Sequence, residues 1–277
     1  MAGSLSDAAI AAYQRDGYYF PVPAMSGDEA ARYAAHLESY EAQSGAPIAG
    51  NRRHKVHLLF TWAHELVCHR GILDAIESII GPDIICWSTN YFIKEAHDSS
   101  FVSWHQDSTY WGLEPPDVVT AWLALSDVPI VSGAMKFVPG SHKGDQIPHT
   151  DTFDEHNLLT RGQEVDMEVD ESATVDVVMR AGELSLHHVR LVHGSHPNQS
   201  ARRRVGLAIR YIPPHVRQFK VRDSAMLVRG EDSYGHFDLE VPPTADLDAA
   251  AVARHEDAME RQIAALYQGT DRTEMRR

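Results

Sequence analysis

The chain has 277 residues, 43% hydrophobic and 23% charged, the composition of an ordinary globular protein, which excludes disorder and fibrous structure. Its formal net charge of −14 repels nucleic acid and anionic membrane surfaces, so neither is expected as a partner. Two cysteines, Cys68 and Cys86, exclude a disulfide framework and a four-thiolate zinc site and suit a reducing compartment, with the cytosol as the expected location.

In chain order, Ser6 reads as the cap of a helix that stops at Gly17, and Tyr18 to Val22 reads as a short strand. Helices are expected from about Asp28 to Glu41 and from His64 to Ile80, before Gly81-Pro82. From Ile84 the texture changes to short β-rich runs separated by Gly, Pro, Asp and Asn: 84–93, 103–110, 118–125, 134–138, 175–179, 183–187 and 204–211. Such a series predicts a sandwich, jelly roll or barrel. The segment 141–173 is about thirty residues without a clear period, the length of a lid or binding loop. A last helix is expected over 245–266, capped by Thr244. With no internal repeat or low-complexity linker, the chain is expected to form a single domain: a helical part to about residue 83, a β core over about 84–215, and the C-terminal helix.

The 17 histidines direct attention to metal and acid–base chemistry. In Trp104-His105-Gln106-Asp107 a strand would turn His105 and Asp107 to one face. His193, in the later run His187-His188-Val189-Arg190-Leu191-Val192-His193-Gly194-Ser195, is the candidate third ligand. Two histidines and a carboxylate form the facial triad of mononuclear non-haem Fe(II) oxygenases, which leaves positions open for co-substrate and oxygen. Arg204, at the start of the following strand, is the natural fork for the distal carboxylate of a 2-oxoacid.

The run Trp104 to Tyr110, the run Ser132-Gly133-Ala134-Met135-Lys136-Phe137-Val138-Pro139-Gly140-Ser141-His142-Lys143, and the segment from Gly182 to Tyr211 together resemble the phytanoyl-CoA dioxygenase family of Fe(II)/2-oxoglutarate-dependent oxygenases. The resemblance implies a mainly β fold with flanking helices, a double-stranded β-helix of the jelly-roll type. It implies His105, Asp107 and His193 as iron ligands, and Arg204, with Ser195, Trp122 and Lys94, around 2-oxoglutarate, with O2 as the second co-substrate. Because Asp107 is present where related halogenases carry a small residue, it implies hydroxylation with release of succinate and CO2. The alternatives are another oxidative outcome on the same fold (desaturation, epimerisation, ring formation) or a jelly roll that binds a metal or ligand without turnover.

For the substrate, the candidates are Lys55 and His57 from the basic segment Arg52–His57, together with Arg210, His188 and Trp104. Arg210 shares the parity of Arg204 on its strand and is expected to face the barrel interior, where an acidic partner is the favoured means of satisfying its charge. Gln106 points away from the two ligands and is expected to be supporting. The expected substrate is a small, polar metabolite, anionic if the basic segment meets it. Cys68 and Cys86 lie in apolar runs and are expected to be inert. Neither the substrate's identity nor the oligomeric state follows from these residues.

Overall fold

The computed structural model describes residues 3–272 and 275. Ser6 caps the first helix, Asp7–Asp16, by accepting from Ala9 N, and Gly17 closes it in the left-handed conformation. Ser26 caps the second helix, Gly27–Ser44, in the same way. The single helix expected over 64–80 is two, Thr61–Val67 and Arg70–Ile80, because His69 caps the second with its own Nδ1 and breaks the run. At the far end, Thr244 is not the cap. Asp248 accepts from Ala251 N and starts the helix Ala249–Leu266, while Thr244 donates to the same carboxylate.

The β core consists of two sheets. The larger has seven strands in the order Tyr18–Pro23, Glu183–His188, Val119–Ala124, Arg204–Ile212, Ile84–Lys94, Ser224–Arg229 and Asp238–Leu239; every neighbouring pair is antiparallel except the last. The smaller has four, Val102–His105, His193–Ser195, Met135–Phe137 and Val175–Asp176. This is the expected jelly-roll architecture, with helices on the outer face of the large sheet. Alternation assigns the two faces of that sheet. Ala121, Leu123, Leu184, Leu186, Leu207, Ile209 and Tyr211 turn outward and join the core beneath the helices, while the residues between them turn toward the small sheet. The register places Ala208 opposite both Trp122 and Asn90, Gly206 opposite Phe92, and Arg204 opposite Lys94, so all of these share the inner face.

Two segments between the main elements are locally ordered. Residues 141–173 contain an antiparallel hairpin, His149–Asp151 with Gln163–Val165, tied down by buried polar bonds such as Asn157 Nδ2 to Ser103 Oγ at 2.7 Å. The basic segment forms two 3-10 turns, Gly50–Arg53 and Val56–Leu58. Among the described residues, no helix is long and apolar enough to cross a membrane.

Candidate metal and co-substrate site

The strand carrying His105 ends at that residue, and Asp107 begins a 3-10 turn, Asp107–Thr109. Gln106 between them has extended backbone, so the expected strand parity holds across the junction and turns both side chains to one face. Gln106 itself is anchored by donating from Nε2 to the Arg190 carbonyl at 2.8 Å and accepting at Oε1 from Ile147 N at 2.8 Å. His193 lies directly across from His105 in the small sheet. One ligand atom from each of His105, Asp107 and His193 lies within 4.8 Å of the others, and all three residues are buried.

The hydrogen bonds set the histidine tautomers. Nδ1–H of His105 donates to the Ser103 carbonyl at 2.9 Å, and Nδ1–H of His193 donates to the Leu191 carbonyl at 2.9 Å. In the neutral ring, each Nε2 is then a lone pair aimed into the site, as in histidines that ligate metals. His105 Nε2 lies 3.3 Å from Asp107 Oδ1. With His105 neutral, two acceptors face one another there, and a cation between them resolves the conflict. Burial would raise the Asp107 pKa, yet contacts with His105 and His187 hold it well below the ordinary carboxylate value. Burial pushes the His193 pKa well down. Two imidazole nitrogens and one carboxylate make a donor set that fits a divalent iron.

Next to the triad, Arg204 is buried beside the Trp122 ring, 5.4 Å from its centroid, and donates from Nη1 to the Gly133 carbonyl. Gly133 caps a 3-10 turn at φ 74°, and a Cβ there would meet the His196 carbonyl oxygen at 2.3 Å, so the turn that presents this carbonyl to Arg204 requires glycine. Lys94 Nζ donates to Ser195 Oγ at 2.7 Å. Burial and the neighbouring Arg204 push the Lys94 pKa down to about 6, and burial lowers that of Arg204 to about 10. Among the described residues neither cation forms an ion pair with a carboxylate, which is the state of a site built for an incoming anion.

Other candidates fall elsewhere. Lys55 and His57 do not reach the site. Both turn into the interior toward Glu240, at 2.6 and 3.0 Å, and Lys55 also donates to the carbonyls of Trp87 and Ser224. Their basic character serves a buried ion network. His188 accepts from Arg190 N at Nδ1 and packs beside His142, away from the triad. Its neighbour His187 is the one that faces inward, with its ring 4.8 Å from that of His193 and Nε2 3.8 Å from Asp107 Oδ2. Alternation in Leu184-Ser185-Leu186-His187, apolar outward and polar inward, was the signal that selects it. Trp104 lines an outer groove with Lys136, Val165 and Met167, not the triad pocket. Arg210 does face the interior, but the favoured acidic partner is missing: among the described residues it forms no ion pair, and Nη1 donates to Asn90 Oδ1.

The triad pocket, about 20 Å3, is lined by His105, Asp107, Trp122, His187, His193 and Arg204, among others. A second cavity of about 60 Å3 adjoins it, sharing Phe92, Asp107 and Arg210. His54, Trp87 and Trp111 line it, with Leu158 to Thr160 from the hairpin and Gln262 and Leu266 from the C-terminal helix. His54 lies in the basic segment, yet burial and Arg53 push its pKa down to about 3, so it is neutral.

With this geometry in place, the relatives are informative. The phytanoyl-CoA dioxygenase (PhyH) family profile matches residues 13–206, so the chain belongs to that family. It is similar to a probable alpha-ketoglutarate-dependent hypophosphite dioxygenase of Stutzerimonas stutzeri, 31% identical over 56% of this chain and 54% of that protein. It is also similar to peroxisomal phytanoyl-CoA dioxygenase of Bos taurus, 32% identical over 47% of this chain and 40% of that protein. The chain thus spans about half the length of these curated relatives. Among solved structures, the non-heme monooxygenase ThoJ in its apo form matches with a TM-score of 0.85 at 38% identity, covering 94% of this chain and 98% of that one.

Proposed function

We propose that this chain is an Fe(II)- and 2-oxoglutarate-dependent dioxygenase that hydroxylates an unactivated carbon of a small, polar metabolite. The balanced reaction joins R–H, O2 and 2-oxoglutarate to give R–OH, succinate and CO2. The observation that carries this reading is the convergence of two Nε2 lone pairs and one carboxylate beside a buried arginine that, among the described residues, forms no ion pair.

His105, Asp107 and His193 would hold the iron. When bound, it supplies the centre at which 2-oxoglutarate is oxidatively decarboxylated by O2. The chain's own contributions are to bind, orient and shield. Backbone carbonyls of Ser103 and Leu191 fix the two imidazoles so that neither nitrogen has to reorganise on metal entry. Thr120 Oγ1 donates to Asp107 Oδ2 at 3.4 Å and steadies the carboxylate. Arg204 and the Ser195 hydroxyl, with Lys94 behind it, receive the far carboxylate of the co-substrate, and the Trp122 face limits how that chain can turn. The hairpin and the C-terminal helix supply walls of the adjoining cavity, where a bound substrate would be held against the triad.

The test is an anaerobic titration of the purified protein with Fe(II) and 2-oxoglutarate, read by the visible charge-transfer band of the chelate. A band in the wild type that is lost in His193→Ala is expected. A folded wild type that binds Fe(II) and 2-oxoglutarate without a band, or binds neither, overturns the reading.

A further inference from the structure

The inner face of the Arg204–Ile212 strand carries a simple pattern. Arg204 and Arg210 point to the same side, and only Gly206 and Ala208 stand between them. At about 3.3 Å per residue, the two arginine Cα atoms are about 20 Å apart along a floor with no large side chain. The triad pocket touches this floor at Arg204, Ala208 and Arg210. One cation is used by the co-substrate on the reading above; the other is not.

Arg210 is 7% exposed, its Nε has no hydrogen-bond partner, and among the described residues no carboxylate pairs with it. A buried cation left in this state costs several kcal/mol, so it is retained only if something compensates. Asp107 is the one carboxylate lining either cavity, and its charge is committed to the metal. The guanidinium is held in place: Asn90 Oδ1 accepts from Nη1, and its carbon lies 5.2 Å from the Trp111 ring centroid and 5.9 Å from that of Phe92. Trp111 lines the second cavity and not the triad pocket, so Arg210 addresses the space beyond the iron as well as the iron itself. The other polar groups there, His54, Ser88, Asn90, Gln163 and Gln262, are neutral.

We propose that Arg210 is the anchor for an oxyanion group, a carboxylate or phosphonate, of the substrate, which lies in the cavity between Trp111 and Phe92 with its target carbon turned toward the triad. The proposal rests on the oxygenase reading for the word substrate, but the anion subsite stands on Arg210 alone. A small organic anion would be selected over its amide or a cation, because only the anion neutralises the buried guanidinium. The rival source of the same chemistry is the metal-proximal carboxylate of 2-oxoglutarate.

The test titrates butyrate and butyramide into the anaerobic protein carrying Fe(II) and saturating 2-oxoglutarate, and into the metal-free protein, reading tryptophan fluorescence from Trp111 and Trp87. Butyrate is expected to saturate at a concentration at least about tenfold lower than butyramide, as a charge-assisted contact requires. Arg210→Met should weaken butyrate by about tenfold or more while leaving 2-oxoglutarate affinity within about threefold, and Arg204→Met should do the reverse. Without any anion, Arg210→Met should also melt higher than the wild type, since it removes an unpaired buried charge. Arg210→Lys, which keeps charge but not the fork, should fall between. Equal binding of butyrate and butyramide overturns the proposal, as does a loss of 2-oxoglutarate affinity in Arg210→Met as large as in Arg204→Met, or a lower melting temperature in Arg210→Met. Absence of the visible band in wild type removes the iron reading alone, because the metal-free titration still decides the anion subsite.

Discussion

Lys94 lies directly behind Ser195, with Nζ donating to Oγ at 2.7 Å, and the pair sits beside the guanidinium of Arg204. The ammonium is therefore part of the electrostatics of the proposed co-substrate site without lying on its surface. Buried and facing Arg204, it is half-protonated near pH 6.

A pH dependence of co-substrate binding follows. An arriving carboxylate raises the Lys94 pKa, so binding takes up a proton between about 6 and the raised value. Affinity for 2-oxoglutarate then falls as pH rises above about 6, by at most about tenfold per unit for one linked proton. Arg204, with its pKa near 10, stays charged through this window. Lys94→Met should bind 2-oxoglutarate more weakly at pH 6 and show a flat profile to pH 8.5; calorimetric titration at several pH values checks both.

The inner floor is equally specific in shape. A Cβ on Gly206 would lie 1.8 Å from Trp122 Cζ2. Gly206→Val should displace the indole that faces Arg204, destabilising the fold by about 1–3 kcal/mol and weakening 2-oxoglutarate binding. Denaturant unfolding gives the first effect and the Fe(II)/2-oxoglutarate titration the second.

Glu240 holds two buried bases, Lys55 and His57, and is itself 4% exposed. Burial opposes its ionisation, but Lys55 and His57 bring its pKa down to about 2. Glu240→Gln leaves Lys55 charged and unpaired and should cost about 3–5 kcal/mol of stability. The network lies outside both cavities, so the Fe(II) affinity of the folded variant should match the wild type.

Acid should destabilise the chain before its carboxylates titrate. Burial lowers the pKa values of His54, His188 and His255, to about 3, 4 and 4. An unfolded histidine, near 6.5, binds its proton first, so stability is full above about 6.5 and declines as pH falls toward 4, by a few kcal/mol in total. Melting temperature measured from pH 7.5 to 4.5 should fall through this window. His54→Gln should fall less steeply.

Local pattern carried much of this protein. Ser6 and Gly17 bracket a helix because capping needs only neighbouring atoms, and the alternation of Val119 to Ala124 or Arg204 to Tyr211 separates a helix-facing side from an interior side within one strand. The convergence of His105, Asp107, His193 and Arg204 on one pocket was likewise legible, since these are the residue types that would hold iron and a carboxylate. Of the adjacent histidines the inward one is His187 and not His188, readable from the alternation of its own strand, while Asp107 shares a face with His105 as the parity of an extended segment predicts.

The sequence by itself determined the β-rich architecture, the candidate ligands His105, Asp107 and His193, and the inward orientation of Arg210, because these depend on chemistry and spacing within single elements. Only the tertiary structure decided that Lys55 and His57 belong to Glu240, that Trp104 faces an outer groove, and that among the described residues Arg210 forms no ion pair with a carboxylate. Those outcomes depend on which distant segments meet: Glu240 lies far along the chain from Lys55, and burial converts an apparently exposed basic segment into an internal ion network. A charge is read from one residue, but whether it is paired is a property of everything that packs around it.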